Sequence, residues 1–371
     1  MKKLILSLVL FCTENAVAQL PAPDTSGEIS IKFEHNIEFA GFVFFMGTMA
    51  ADAAAPGAKM NSGVLKKDWF RYDLFLADRF KAFADDPDLA IAAGYLEKLQ
   101  APDIFPLLMS VNNIPGAVLP NGISKDKIIG FATYNDSTEG ANEATVFLSA
   151  MNRFYRTISF DDYFSTAGKY YQQALNEIKA ALPDPGSIEM MERFYGKKFD
   201  TYTLVPSLTI PSGMAFGVNV KNAQGIGVYN LFGPFAVPVL DSSLSLGFNQ
   251  PQHILELSVH EFGHSFVNPV VSQLPDPLIS STRSLFNPVA TAMDDQGYPD
   301  WNSCLTEHFV RAGEVIIARK MDRTKGADDL LRNYVDKRKF IYLPRIIEVL
   351  ERVISGGGSY AEAVRAAAEA L

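Results

Sequence analysis

Apolar and polar positions along the chain fall into blocks of different period. Ile29-Ser30-Ile31-Lys32-Phe33-Glu34 alternates at the two-residue period of a half-buried strand, and the nearly unbroken apolar run from Ile37 to Met46 extends a strand-rich beginning. From Trp69 to Leu99 the period lengthens. Phe70, Leu74, Phe75, Ala77 and Phe80 recur at helical spacing, and a second helical stretch covers Asp88 to Leu99. Glu143 to Ala181 reads as helix with a break near Ile158-Ser159-Phe160-Asp161, and Pro183-Asp184-Pro185-Gly186 stops it.

Beyond that punctuation the composition turns to strand. Thr201 to Val205 and Ser207 to Ile210 have strand character, and Met214 to Val220 and Ile226 to Phe232 read as two strands around the turn Lys221-Asn222-Ala223-Gln224-Gly225. A helix follows at about 251–268. Asn249 serves as its N-cap, Pro251 is tolerated in its first turn, Ile254, Ser258, Phe262 and Phe266 form a packing stripe, and Pro269 ends it. Helical signals dominate again from Asn302, and Gly356-Gly357-Gly358 sets off a last alanine-rich helix. The order predicts an α+β chain: helix, sheet, a motif helix, then a helical lobe at about 300–371. There are no repeats and no long low-complexity linker, so residues 19–371 read as one domain.

The first eighteen residues describe a destination. Lys2 and Lys3 precede a short apolar stretch, Leu4 to Cys12, and Ala16-Val17-Ala18 has the form of a cleavage site, so residues 1–18 read as a signal peptide. The protein is expected in the periplasm or secreted. Lipidation at Cys12 is a secondary reading, because Phe11 stands where such signals take a small residue. No other segment reads as a transmembrane span. Only Cys304 remains after cleavage, which excludes an internal disulfide framework. The formal charge of -9 gives no basic stripe, so nucleic acid is excluded as a partner.

Two of the chain's five histidines fall in His260-Glu261-Phe262-Gly263-His264. On a helix this spacing stacks both imidazoles on one side, one turn apart, where they can chelate a single ion. Glu261 lies about 100° round from His260, close enough to reach a water on that ion without taking a ligand position. A random chain of this composition would show the pattern roughly once in 300 such proteins. Gly263 costs up to about 1 kcal/mol relative to alanine inside a helix, so a close backbone or substrate approach, or tight helix packing, should require it.

A catalytic zinc takes three protein ligands and leaves one position open. The extended pattern with glycine at 267 and histidine at 270 is excluded, because those positions hold Val267 and Val270. In "NSCLTEHFVRAGEVIIARK", from Asn302, Glu307 sits in the second turn of a helix with Arg311 and Glu314 on the same face. Asp294 or Asp295, in "AMDDQGYPD", is the alternative third ligand.

With these residues the chain resembles the gluzincin branch of zinc metallopeptidases. The wording HEFGHSF followed by Glu-His-Phe-Val-Arg-Ala is also similar to a family of exported bacterial proteins of unassigned function regarded as metallopeptidases; the likeness is carried by Val259 to Ala312. The resemblance implies a zincin-like fold, one Zn2+ on His260, His264 and Glu307, Glu261 as general base, and a mixed sheet whose edge strand pairs with an extended peptide beside the active-site helix. One departure stands out. Thermolysin-like members carry an aspartate four residues after the ligand glutamate to orient a zinc-bound imidazole, and here that place is Arg311. Glu314, a backbone carbonyl or another carboxylate must then do the orienting.

His308 projects about 100° away from Glu307 and cannot easily share its ion, so it is a candidate for stabilising an oxyanion or else an ordinary surface residue. Tyr298 competes for the oxyanion role, against an ordinary packed tyrosine. Arg311 either holds a substrate carboxylate or pairs with Glu314. His253, roughly 10 Å along the helix from His260, and His35 read as non-ligands. The expected function is zinc-dependent hydrolysis of peptide or protein substrates outside the cytoplasm. The alternatives are an exported peptide-binding or scaffold protein without catalysis, and a zinc hydrolase of non-peptide amides or lipids.

Overall fold

The computed structural model describes residues 20–21, 29–99, 101–182, 186–222 and 225–371. The leader at 1–18 with Cys12, the stop at Pro183-Asp184-Pro185 and the hairpin tip at 223–224 lie outside these residues. Strand β1 is Ile29–Ile31, shorter than the alternating run, because the chain turns at once into helix α1, His35–Phe44. The expected strand over Ile37 to Met46 is therefore corrected. A continuous apolar run carries no period to separate strand from helix. Here Ile37, Phe39, Phe42 and Val43 are all buried, so this helix is covered all round by protein. Its continuation to Ala54 gives a helix of 20 residues, with a mean hydropathy of 1.3, that meets the length and apolarity of a membrane span. Its first half packs inside the protein, with Phe39 4.8 Å from Tyr155 and Phe42 5.0 Å from Phe160 between ring centroids, while Gly47, Ala51, Asp52 and Ala54 are exposed.

Around α1 pack α2 (Arg71–Arg79), α3 (Pro87–Lys98), α4 (Ala101–Leu108), α5 (Ser137–Thr157) and α6 (Asp161–Ala180). The break expected near Ile158 is present: Ser159 adopts a left-handed φ of 50° between α5 and α6. Helix α7, Gly186–Tyr195, follows. Then come β2 (Thr201–Pro206), β3 (Ala215–Asn222) and β4 (Gly225–Phe232). The sheet order is β1-β2-β4-β3, with β1, β2 and β4 parallel and β3 antiparallel to β4, so β3 is an outer strand. Ser207 to Ile210 is not a strand. The Ser207 hydroxyl accepts from the backbone N–H groups of Thr209 and Ile210, at 3.1 and 2.9 Å, and that local turn replaces the ladder.

Helix α8, Pro251–Val271, lies on the sheet, with Phe262 5.4 Å from Tyr202 of β2. It starts without the expected Asn249 cap and runs two residues past Pro269. Helix α9, Asp276–Thr282, leads to α10, Trp301–Lys320, whose first turn is closed by a reciprocal cap between Asp300 and Ser303. Helices α11 (Leu343–Ser355) and α12 (Tyr360–Glu369) complete the chain. One apolar core runs from Ile29 of β1 to Ala368 of α12.

Candidate metal centre

Helices α8 and α10 run antiparallel, so His260 faces Glu314 while His264 faces Glu307. A glycine of each helix meets Tyr195. A β-carbon at Gly313 would lie 2.1 Å from the Tyr195 hydroxyl and one at Gly263 would lie 3.4 Å from it. Tyr195, at the end of α7, stacks on Phe266 and inserts its hydroxyl at this point. Packing therefore demands glycine at 313, whereas at 263 a β-carbon would make ordinary van der Waals contact and the packing does not demand glycine.

Three donor atoms converge from the two helices. His260 Nε2 and His264 Nε2 are 3.3 Å apart, and the two oxygens of Glu307 stand 3.5 Å from the first and 3.6 Å from the second. Ligands on one tetrahedral ion with bonds of about 2.0–2.1 Å are separated by roughly 3.4 Å, so the spacing suits a single small ion bound by all three residues. The other ring nitrogens are already engaged. His260 Nδ1 bonds Glu314, and His264 Nδ1 meets Asn268 Oδ1 at 3.1 Å. With both Nδ1 atoms facing acceptors, both Nε2 lone pairs are left pointing at the same place. The set His260, His264 and Glu307 can hold a metal ion, and the donor chemistry fits it.

Electrostatics keep the carboxylates charged. Burial alone would raise the Glu307 pKa, but His260, Arg311, His264 and the Tyr298 hydroxyl outweigh it and hold the group at about 2. Burial likewise would lower His260, yet Glu307 and Glu314 raise it to about 9, so a proton occupies the cluster when no ion does. Glu314 also accepts from the Tyr334 hydroxyl, which fixes it against His260. Glu314 therefore takes the orienting place that the sequence left open. Arg311 pairs with Glu307 at 2.5 Å, not with Glu314 and not with the cleft, and its guanidinium lies between the rings of Tyr334 (4.6 Å) and Phe340 (4.8 Å).

A cleft of about 770 Å³ opens on this cluster. Glu261 lines it, and its carboxylate has no hydrogen-bond partner among the described residues. The start of the outer strand, Ala215, Phe216 and Gly217, forms the neighbouring wall. Gly217 permits that approach, since a β-carbon there would come within 2.4 Å of the Glu261 carbonyl oxygen.

The structure brings His260, Glu261, His264, Tyr298 and Glu307 to one cleft. Tyr298 does not present a free hydroxyl, however, because it donates to Glu307 at 2.9 Å. His308 is not brought there. It is fully buried, its Nδ1–H donates to the Cys304 carbonyl at 2.8 Å, its ring packs on Phe340, and burial pushes its pKa down to about 4. Asp294 and Asp295 are exposed and outside the cluster. His253 stacks on Phe235, and His35 bonds the Tyr155 hydroxyl at 3.0 Å. Sequence reasoning missed Asn268, one turn beyond His264, which the i,i+4 rule could have flagged, and Tyr334 and Phe340, which carry no local signal.

Two imidazoles and a carboxylate on facing helices, beside an unbonded glutamate, define a candidate metal-ion centre. The chain belongs to the family described as a domain of unknown function (DUF4932), whose pattern matches residues 129–357 and so includes every residue of the centre. Among curated proteins and among solved structures no match was found.

Proposed function

We propose that the protein is a zinc-dependent peptidase of the gluzincin type, acting outside the cytoplasm on peptide or protein substrates. The observation that carries this reading is the pairing of three convergent donors with a fourth, unbonded carboxylate, Glu261, in an open cleft. A structural zinc takes four protein ligands and has no use for a base. A zinc ion on His260, His264 and Glu307 would lower the pKa of water toward about 7 and polarise a carbonyl.

The chain's own residues do the rest. Glu261 accepts a proton from the attacking water and returns it to the leaving amine as the peptide C–N bond breaks, giving a carboxylic acid and an amine. Glu314 and Asn268 fix the two imidazoles with their Nε2 lone pairs inward. Arg311 and Tyr298 hold one oxygen of Glu307, which orients the other toward His264. The outer edge of β3 offers unpaired backbone groups on which an extended peptide can add as a further strand.

Elemental mass spectrometry with a peptide-library cleavage assay tests the proposal. Wild type should hold about one zinc per chain, Glu307→Ala should lose it, and Glu261→Gln should keep it while turnover falls by roughly 10²–10⁴-fold. Full zinc in Glu307→Ala sinks the ligand set, and normal turnover in Glu261→Gln sinks the general base.

A further inference from the structure

Two carboxylates lining the cleft, Glu261 and Asp276, have no hydrogen-bond or ion-pair partner among the described residues. Glu307 is answered by Arg311, and Glu314 by His260 and Tyr334, while Glu261 is the base of the reading above. Asp276 lines the same cleft at the start of α9, is exposed, and makes no hydrogen bond or ion pair among the described residues. It is not used to cap its own helix, whose N-cap is Pro275 with no side-chain bond. The described residues lining the cleft include no lysine or arginine. Near Asp276 the walls are aliphatic, amide and hydroxyl groups, among them Leu274, Ile279, Asn302 and Thr306. A peptide's terminal carboxylate therefore finds no cation here, whereas a cationic side chain finds an unpaired anion.

Resting on the peptidase reading, we propose that the cleft takes an internal segment of a peptide chain with a lysine or arginine side chain against Asp276, two or three residues from the scissile bond. The spacing follows from α8. The cleft runs along it from His264 through Asn268 to Val271, roughly 10 Å at 1.5 Å per residue, and Asp276 lines the same cleft after the turn that follows. An extended peptide covers about 3.3 Å per residue, so three residues span that length. The position fits an endopeptidase whose preference is set by charge at a distance from the cut.

The zinc-loaded protein is tested with peptides blocked at both ends, carrying arginine, alanine or glutamate at each position around the cut. Cleavage should favour arginine over alanine by roughly three- to fivefold at one position two or three residues away, the range a partly solvated ion pair supplies, and should disfavour glutamate there. The arginine-to-alanine ratio should fall to about one in Asp276→Asn and invert toward glutamate in Asp276→Lys. Cleavage with no charge preference, a preference that survives Asp276→Lys, or a requirement for a free terminus overturns the proposal and leaves the peptidase reading standing. Binding to the Glu261→Gln protein, read by fluorescence anisotropy of the same peptides, separates the two. A preference for arginine peptides that is lost in Glu261→Gln/Asp276→Asn, with no cleavage by wild type, supports the Asp276 subsite and sinks the hydrolase.

Discussion

Two buried carboxylate clusters in this molecule have opposite characters. In the N-terminal half, Glu38 of α1 accepts from the Tyr171 hydroxyl at 2.8 Å and from the Leu208 N–H at 3.2 Å, and Tyr171 continues through Tyr163 to Tyr72 in hydroxyl contacts of 3.0 Å. No cation meets it. Burial raises the Glu38 pKa to about 7, so that it is protonated below neutral pH, and pushes Asp73 well above the usual carboxylate range. At the candidate metal centre Glu307 is as deeply buried, yet His260 and Arg311 keep it ionised. Burial by itself thus yields an inert carboxyl, and only the facing cations make a carboxylate available for ligation.

The sharpest way to break this contrast is Arg311→Met in chelated protein. It leaves Glu307 buried without its guanidinium and should cost about 3–5 kcal/mol in urea unfolding; a loss under about 1 kcal/mol would mean that Arg311 does not compensate Glu307. Glu38→Gln tests the other side. A folded pKa of about 7 lies above the unfolded value near 4.5, so the stability that neutral Glu38 contributes is present below about pH 4.5 and lost as pH rises through 7. The wild-type-minus-variant difference should therefore decline by on the order of 3 kcal/mol between those limits, and a flat difference would show that Glu38 is not neutral in the fold. Glu314→Gln should have the smallest effect, weakening zinc binding by roughly 10–100-fold in competition titrations while the fold persists; unchanged affinity would remove Glu314 from its orienting place.

Much of this was legible along the chain. The α8 stripe, the break at Ser159, the β3–β4 hairpin and the pair His260 and His264 follow from period, turn residues and spacing, whereas Glu307 stood beside Asp294 and Asp295 as third ligand and was favoured through the gluzincin resemblance. What failed did so for physical reasons. Helix α1 is buried without a break from Asn36 to Val43, so its period is invisible. Helix α10 is buried on nearly every side as well, so spacing could not say which of Glu307, His308, Arg311 and Glu314 faced the cleft. His308 was misread on that account, and the role of Arg311 was hidden because Tyr334 and Phe340 reach it from a different segment.

Tyr195 bears on how the two helices are held. Its hydroxyl occupies the place that a β-carbon at Gly313 would take on α10, while its ring stacks on Phe266 of α8. A phenol there works as a doorstop: it limits how near α8 and α10 can come, so a residue of α7 outside the candidate ligand set fixes the narrowest gap across which His260 and His264 face Glu307.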